Sequence, residues 1–277
     1  MQIKIVTDSS ANLAELSGVP FAVAPLKVIT SEREFTDDNS LDIAEMDAYM
    51  ARYKGRSQTS CPNTADWLAA FGDAENIVCV TITSAMSGTY NSALAAARIY
   101  ESEHEGRRVF VLDSLTTGPE MLLAVEKLQA SILAGKSFEE VCADTQAYLR
   151  QTGLYFMLKS LKNFANNGRV SPSVAKLAGF MGICIVGCAG EGGTLEPTDK
   201  CRGEARSLAK ICERLAEAGL STGRVCIAHC RNEAGADALR GLLLERFPLA
   251  EVTVMDCRGL CRYYVEDGGI LVGFEKV

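Results

Sequence analysis

Ile77-Val78-Cys79-Val80-Thr81-Ile82-Thr83-Ser84-Ala85-Met86-Ser87-Gly88-Thr89 joins a run of strand-forming residues to a loop of hydroxyls and glycine. A helical pattern follows over about residues 88–104. A near-continuous apolar strand, then a short polar loop and a helix, is the repeating unit of an open parallel α/β sheet. The same sentence recurs on either side. Residues 3–6 lead into Asp8-Ser9-Ser10, and residues 109–112 lead into Asp113-Ser114-Leu115-Thr116-Thr117-Gly118, with a helix expected over 118–133 and stopped by Gly135. Residues 21–29 read as a further strand before a polar stretch at 32–39. Ser40 or Asp42 suits the cap of a helix with Leu41, Met46, Tyr49 and Tyr53 on its apolar face, and a shorter helix from Thr64 carries Trp67, Leu68 and Phe71. Ser137 and Glu140 have capping-box spacing for a helix over 138–150.

From Leu154 the texture changes. Strand-like 155–158, a short helix and Gly168-Arg169-Val170-Ser171-Pro172 come first. Residues 182–188 and 194–196 then flank Gly190-Glu191-Gly192-Gly193, which signals an antiparallel hairpin. Helical periods over 204–218 and 233–247 alternate with strands at 225–229, 252–255 and 270–274. The expectation is an α/β protein of two domains: 1–155 with a mainly parallel α/β/α sheet, and 156–277 with a mixed sheet and helices, segments interleaving near the boundary. The length of 277 residues and a hydrophobic content of 48% allow two cores.

Composition excludes several classes. No apolar run reaches the ~18 residues of a membrane span, and the nearest, 177–190, is broken by glycines. The first residues enter a strand without a basic segment or cleavage site, so no secretory signal is expected and the cytoplasm is. Eleven cysteines is an odd number, and Cys79, Cys184 and Cys226 lie inside apolar strands as reduced thiols would, so no disulfide framework is expected. A net charge of −7 with scattered Lys and Arg argues against a nucleic-acid groove.

Ligands of an open α/β sheet sit beyond the carboxyl ends of its strands. Here those ends carry hydroxyls, and Thr59-Ser60-Cys61-Pro62-Asn63-Thr64 is a fourth polar segment able to fold over the same rim. Hydroxyls and free N–H groups at a helix start, with Gly88 permitting close approach in Ser87-Gly88-Thr89, suit a carboxylate or a phosphate. Each such loop is equally readable as an ordinary N-cap. Neither the P-loop nor the dinucleotide fingerprint occurs at these strand ends, so no nucleotide and no cofactor is expected. His104 and His229 are the only histidines. A serine hydrolase or acyltransferase would use Ser84 or Ser87 with His229, which ends an apolar strand. Cys226, His229, Cys230, Cys257 and Cys261 could be drawn around a metal, but C-x-x-x-C misses the usual knuckle spacing, and no metal is expected. Asp8 and Asp113 read either as an acid–base pair or as acceptors of backbone N–H groups.

Taken in order, Val6-Thr7-Asp8-Ser9-Ser10-Ala11-Asn12-Leu13, Thr59-Ser60-Cys61-Pro62, Ser84-Ala85-Met86-Ser87-Gly88-Thr89-Tyr90-Asn91-Ser92-Ala93, Asp113-Ser114, and Leu161-Lys162-Asn163 through Gly168-Arg169-Val170-Ser171 resemble the DegV family of bacterial fatty-acid-binding proteins. The resemblance implies a long-chain fatty acid held between two α/β domains. It assigns the carboxylate to Thr59 or Ser60 and to a serine of the loop containing Ser84 and Ser87, beside Gly88 and Thr89. It also implies a carrier, not an enzyme, that presents the acid to a separate fatty-acid kinase through a surface near Arg169 and Arg202. Where the family commonly ends in G-x-H-x-G-x-G-x-x-G, this chain has Arg262-Tyr263-Tyr264-Val265-Glu266-Asp267-Gly268-Gly269, so Tyr264 stands for the histidine; Cys61 and Asn63 also depart from the family's T-S-Q-P-S. A phenol donates one hydrogen bond but does not become a cation near neutral pH. Burying about 15 methylenes at ~0.8 kcal/mol each is worth on the order of 10 kcal/mol before ordering costs, so the tail supplies affinity and the hydroxyls orientation. Residues 177–187 and the helix over 121–133 are candidate walls for the tail.

Overall fold

The computed structural model describes residues 2–176, 178 and 182–277. The chain begins with β1 (Ile3–Asp8), a 3-10 turn over Ser9–Ala11, β2 (Phe21–Ala24), β3 (Lys27–Ile29), β4 (Glu34–Thr36), α1 (Ile43–Arg52), β5 (Gln58–Ser60) and α2 (Thr64–Phe71). It continues through β6 (Asn76–Thr81), α3 (Thr89–Glu103), β7 (Arg108–Asp113), α4 (Gly118–Leu133) and α5 (Phe138–Leu149). The order β2-β1-β6-β7 is parallel throughout. Its strands are apolar on both faces because helices cover both. Ile3, Ile5, Val78 and Val80 pack against Met121, Val125, Leu128 and Val141, while Val6, Ile77 and Cys79 pack against Trp67, Phe71, Ala93 and Tyr100.

The second half contains β8 (Thr152–Leu158), α6 (Lys162–Asn166), α7 (Pro172–Ala175), β9 (Ile183–Ala189), β10 (Leu195–Arg202), α8 (Glu204–Glu217) and β11 (Arg224–His229). After these come α9 (Glu233–Arg246), β12 (Glu251–Asp256), α10 (Gly259–Val265) and β13 (Ile270–Glu275). The mixed sheet runs β10-β9-β8-β13-β11-β12, with only the β11–β12 pair parallel. One face is closed by α8 and α9 through Leu208, Ile211, Leu215, Leu239 and Leu243. The other face is covered in part by α4, and beside it Leu154, Phe156, Leu158, Ile185 and Leu271 meet short elements, among them Cys261 and Val265 of α10.

Three features depart from the sequence reading. The run 21–29 is two strands, because Pro25 lacks an N–H and Leu26 turns away, donating its N–H to Ser9 Oγ (3.1 Å) and accepting from Asp37 N (2.9 Å). β3 then pairs antiparallel with β4 and β5 in a small sheet of its own, order β4-β3-β5, in which β4 and β5 come from segments that read as polar loop. Strand β8 spans residues 152–158 as an interior strand of the mixed sheet, so the expected division between 155 and 156 falls inside it and the two large sheets part before Thr152. Helix α10, which carries Tyr264, was not read at all. The capping box at Ser137 and Glu140 is present, Asp42 and not Ser40 caps α1, and a second box forms at Asn63 and Asp66.

Helix α4 binds the halves together, since its Leu122 and Leu123 pack on Cys226 of the mixed sheet while Met121 and Val125 serve the parallel one. Gly273 on β13 permits the approach: a Cβ there would lie 2.4 Å from Glu120 N and 2.5 Å from Pro119 C. Gly273→Ala should therefore lower the free energy of unfolding by about 1–3 kcal/mol, the usual cost of overpacking. Gly192, with nothing within 4 Å of its Cβ position, should change by less than about 0.5 kcal/mol on the same substitution. Urea midpoints of the two variants check this; equal shifts would refute the close packing of α4 on β13.

Candidate functional site

The carboxyl ends of β1 and β7 set the loops. Asp8, fully buried, accepts N–H groups from Ser10 (2.9 Å) and Ile82 (2.7 Å), which ties the β1 turn to the loop after β6. Asp113 accepts from Ser84 N (3.1 Å) and Leu115 N (3.0 Å). Both carboxylates thus serve as acceptors for backbone donors, and neither lines a cavity described below. Thr83 N donates to Thr116 O at 2.9 Å, which completes the rim.

Between this rim and the thinly covered end of the mixed sheet's face lies a pocket enclosing about 80 Å³. Its walls include Leu26, Ile82, Met86, Leu260, Val265 and Leu271. Six polar side chains also line it: Thr59 from β5, Thr83 and Ser87 from the loop before α3, Thr117 before α4, Tyr264 from α10 and Arg169 after α6. Thr59 Oγ1 and the Tyr264 hydroxyl are 2.7 Å apart, and Thr59 N donates to Asn167 Oδ1 at 3.1 Å. Ser87 Oγ shares a hydrogen bond of 2.7 Å with Thr89 Oγ1. The Tyr264 ring lies against Phe164, with centroids 4.7 Å apart. Burial pushes its phenol above the ordinary tyrosine value, so near neutral pH it remains a donor. Arg169 donates to two backbone oxygens, Met86 O (3.1 Å) and Asn167 O (2.6 Å), and takes part in none of the ion pairs among the described residues.

A second pocket, enclosing about 60 Å³, shares Thr83, Met86, Thr117, Phe164 and Leu271 with the first. It runs on along Leu154, Phe156 and Leu158 to Cys188, Ala189 and Leu195, where Gly193 at the β9–β10 turn closes it. A Cβ on Gly193 would fall 2.1 Å from Thr83 Oγ1, so only glycine lets the turn rest there. Thr59, Ser87, Tyr264 and Arg169 line only the first pocket, Leu154, Phe156, Leu158 and Leu195 only the second, and Thr83 and Thr117 both.

Of the residues singled out from sequence, Thr59, Ser87, Tyr264 and Arg169 converge on this space, and Thr89 stands behind Ser87. Ser60 pairs with Lys27 in the small sheet, and exposed Ser84 gives its N–H to Asp113; neither lines the cavities. Gly88 has φ −74°, open to any residue. Arg169, expected on a partner-facing surface, reaches the cavity, whereas Arg202 is exposed at the end of edge strand β10. His229 lies away from both cavities, its Nδ1 accepting from Asn232 N (3.3 Å) and 3.4 Å from Asp256 Oδ1, so no Ser84 or Ser87 triad forms with it. Among the described residues no cluster of three or more His, Cys, Asp or Glu side chains is arranged to hold a metal. The helix over 121–133 packs between the sheets and contributes nothing to the lining, while Leu177, Gly179, Phe180 and Met181 of the other expected wall lie outside the described residues. Leu26, Phe164, Leu260 and Leu271 were missed, since an isolated apolar residue in a short element carries no signal of its own.

Asp8 gives a pH signature. Burial pushes its carboxyl up to about 6, outweighing its hydrogen bonds from Ser10 and Ile82. A folded-state value raised above the unfolded one contributes stability that is full below the unfolded pKa and lost as pH rises through the folded pKa. The Asp8 contribution should thus fall away between about pH 4 and pH 7. Asp8→Asn should flatten that part of the stability–pH curve relative to the wild type, in urea titrations at several pH values. An unchanged slope would place the protonation elsewhere.

Comparison with known proteins fits this geometry. A family model described as "Uncharacterised protein, DegV family" matches residues 2–276. A DegV domain-containing protein of Streptococcus pneumoniae is 38% identical over 99% of both chains. The solved structure of a DegV family protein from Eubacterium eligens loaded with heptadecanoic acid superposes with a TM-score of 0.96 at 44% identity, covering 99% of this chain and 100% of that one. The Streptococcus pneumoniae Fatty Acid Kinase (Fak) B3 protein loaded with linoleic acid gives 0.97 at 38% identity, covering 100% of both. Both the ordered loops and this whole-length match place the chain in the DegV family.

Proposed function

We propose that this protein binds one long-chain fatty acid, its carboxylate at Thr59, Ser87 and Tyr264 and its tail in the second cavity. The observation that carries the reading is a pair of adjoining pockets, sharing Thr83, Met86, Thr117, Phe164 and Leu271, with Thr59, Ser87 and Tyr264 in the first and Leu154, Phe156 and Leu158 in the second. Its length of apolar wall suits a tail, whose burial supplies affinity at ~0.8 kcal/mol per methylene, while the hydroxyls fix which end is bound. Arg169 sets a guanidinium beside the same polar end and complements the charge. The fatty acids named for the similar structures from Eubacterium eligens and Streptococcus pneumoniae support the same class of ligand.

The protein acts as a carrier and uses no catalytic residue or cofactor of its own. Full-length similarity to the Fak B3 protein supports presentation of the bound acid to a separate fatty-acid kinase, with exposed Arg202 toward that partner. A cytoplasmic location accords with eleven free thiols, and no helix among the described residues is long and apolar enough to cross a membrane.

Thr59→Ala with Ser87→Ala should weaken palmitate binding about tenfold or more, since hydrogen bonds to a charged group contribute about 1.5–3 kcal/mol each. Thermal unfolding of the ligand-free protein should be nearly unchanged. Isothermal titration of the double variant decides it; wild-type affinity would remove the carboxylate from this clasp. Tyr264→His should add a pH dependence the wild type lacks. Binding should tighten as pH falls through about 6.5, where imidazole becomes a cation. A flat profile in that variant would mean that position 264 does not face the carboxylate.

A further inference from the structure

Cys184 and Cys201 stand directly opposite each other across the antiparallel β9–β10 ladder. Opposed residues project to the same face, and both thiols pack into the core beneath α8. Both are free, as are the other nine cysteines. No other cysteine pair is matched across a ladder among the described residues. Two positions along, Gly203 N donates to Gly182 O at 2.9 Å, so by the alternation of an antiparallel ladder 184 and 201 are also a hydrogen-bonded pair. Such a pair has Cα atoms about 5.5 Å apart, inside the window a disulfide spans. Its Cβ atoms, at about 5.5 Å, must be drawn in by about 1 Å. A bond formed there is strained and readily reduced, which is the property of a switch and not of a permanent staple.

We propose that Cys184 and Cys201 form a reversible redox site, closing to an intramolecular disulfide on exposure to a small disulfide oxidant such as oxidised glutathione. Cys201 is partly exposed and Cys184 only 4% exposed, which sets the order of events. The Cys201 thiolate attacks one sulfur of the oxidant, forming a mixed disulfide and expelling one glutathione thiolate. The Cys184 thiolate then attacks Cys201 Sγ, forming the protein disulfide and expelling the second. The two cysteines lose two protons and two electrons, and one oxidant becomes two thiols. Burial holds the Cys201 thiol above its ordinary pKa, so the reaction quickens as pH rises toward that of a free thiol. The bond joins an edge strand to its neighbour in the hairpin whose tip closes the second cavity.

The test is incubation of the full-length native protein with oxidised glutathione, then alkylation of remaining thiols, proteolysis and mass spectrometry. The expected result is loss of two thiols per chain, a cross-linked peptide pair joining 184 to 201, full recovery with dithiothreitol, and Cys184→Ser arrested as the mixed disulfide on Cys201. No thiol loss, a stable glutathione adduct on wild-type Cys201, or a bond mapped to another pair such as Cys230 with Cys257 would each overturn the proposal.

Discussion

Helix α10 has no side-chain cap of its own; the N–H of Leu260 in its first turn is taken by Asp37 Oδ2 (2.8 Å), 223 positions earlier in the chain. The contact is so close that a Cβ on Gly259 would lie 2.2 Å from the Asp37 carboxyl. A second carboxylate from the first half, Asp47 on α1, receives Arg262 Nε (2.8 Å to Oδ2) and Arg231 (2.8 Å). Burial pushes the Asp47 carboxyl up, and the two guanidiniums outweigh it and hold it below its ordinary value. These two acceptors fix where α10 sits, and α10 supplies Leu260, Cys261, Tyr264 and Val265 to the cavity. Without that docking there is no Tyr264 beside Thr59 and no closed wall opposite Met86.

The binding space follows from an imbalance in how the mixed sheet is covered. One face is sealed by two long amphipathic helices; α4 covers part of the other, and the remainder meets only α6, α7 and α10, none longer than seven residues. Short elements cannot fill an apolar face to the density of a core, and the unfilled strip is what a hydrocarbon chain would occupy. At the opposite end Ser87, in the loop whose Ile82 and Ser84 N–H groups go to Asp8 and Asp113, meets Thr59 of the small sheet and Tyr264 of α10 around the first pocket. On the proposed reading the mixed sheet's face would supply affinity for the tail, and Thr59, Ser87 and Tyr264, drawn from both halves, would orient the head group.

The parallel sheet was legible because its strands are buried on both faces and its loops repeat one chemical sentence, as in the run from Ile77 to Thr89. Ser87 and Thr59 could be picked from that sentence by anion chemistry, and Tyr264 only through resemblance to the family. The small sheet escaped because its strands are three residues long, β4 and β5 lie in polar stretches, and what pairs Thr59 with Val28 is register, which no local pattern encodes. Arg169 was expected at the surface; it turns inward because Met86 O and Asn167 O receive its guanidinium. The cavity walls come from Leu26, Phe164, Leu260 and Leu271, single residues in distant elements that only the tertiary fold assembles.

The central claim is that this space holds one fatty acid. The measurement that bears on it most directly is native mass spectrometry of the purified protein, with organic extraction of the same batch and mass analysis of the lipid released. The account predicts a complex of one ligand per chain whose released component is a single long-chain acid. Ligand-free protein that also fails to take up added palmitate or oleate would contradict it, and would leave the Thr59, Ser87 and Tyr264 clasp to a different anion.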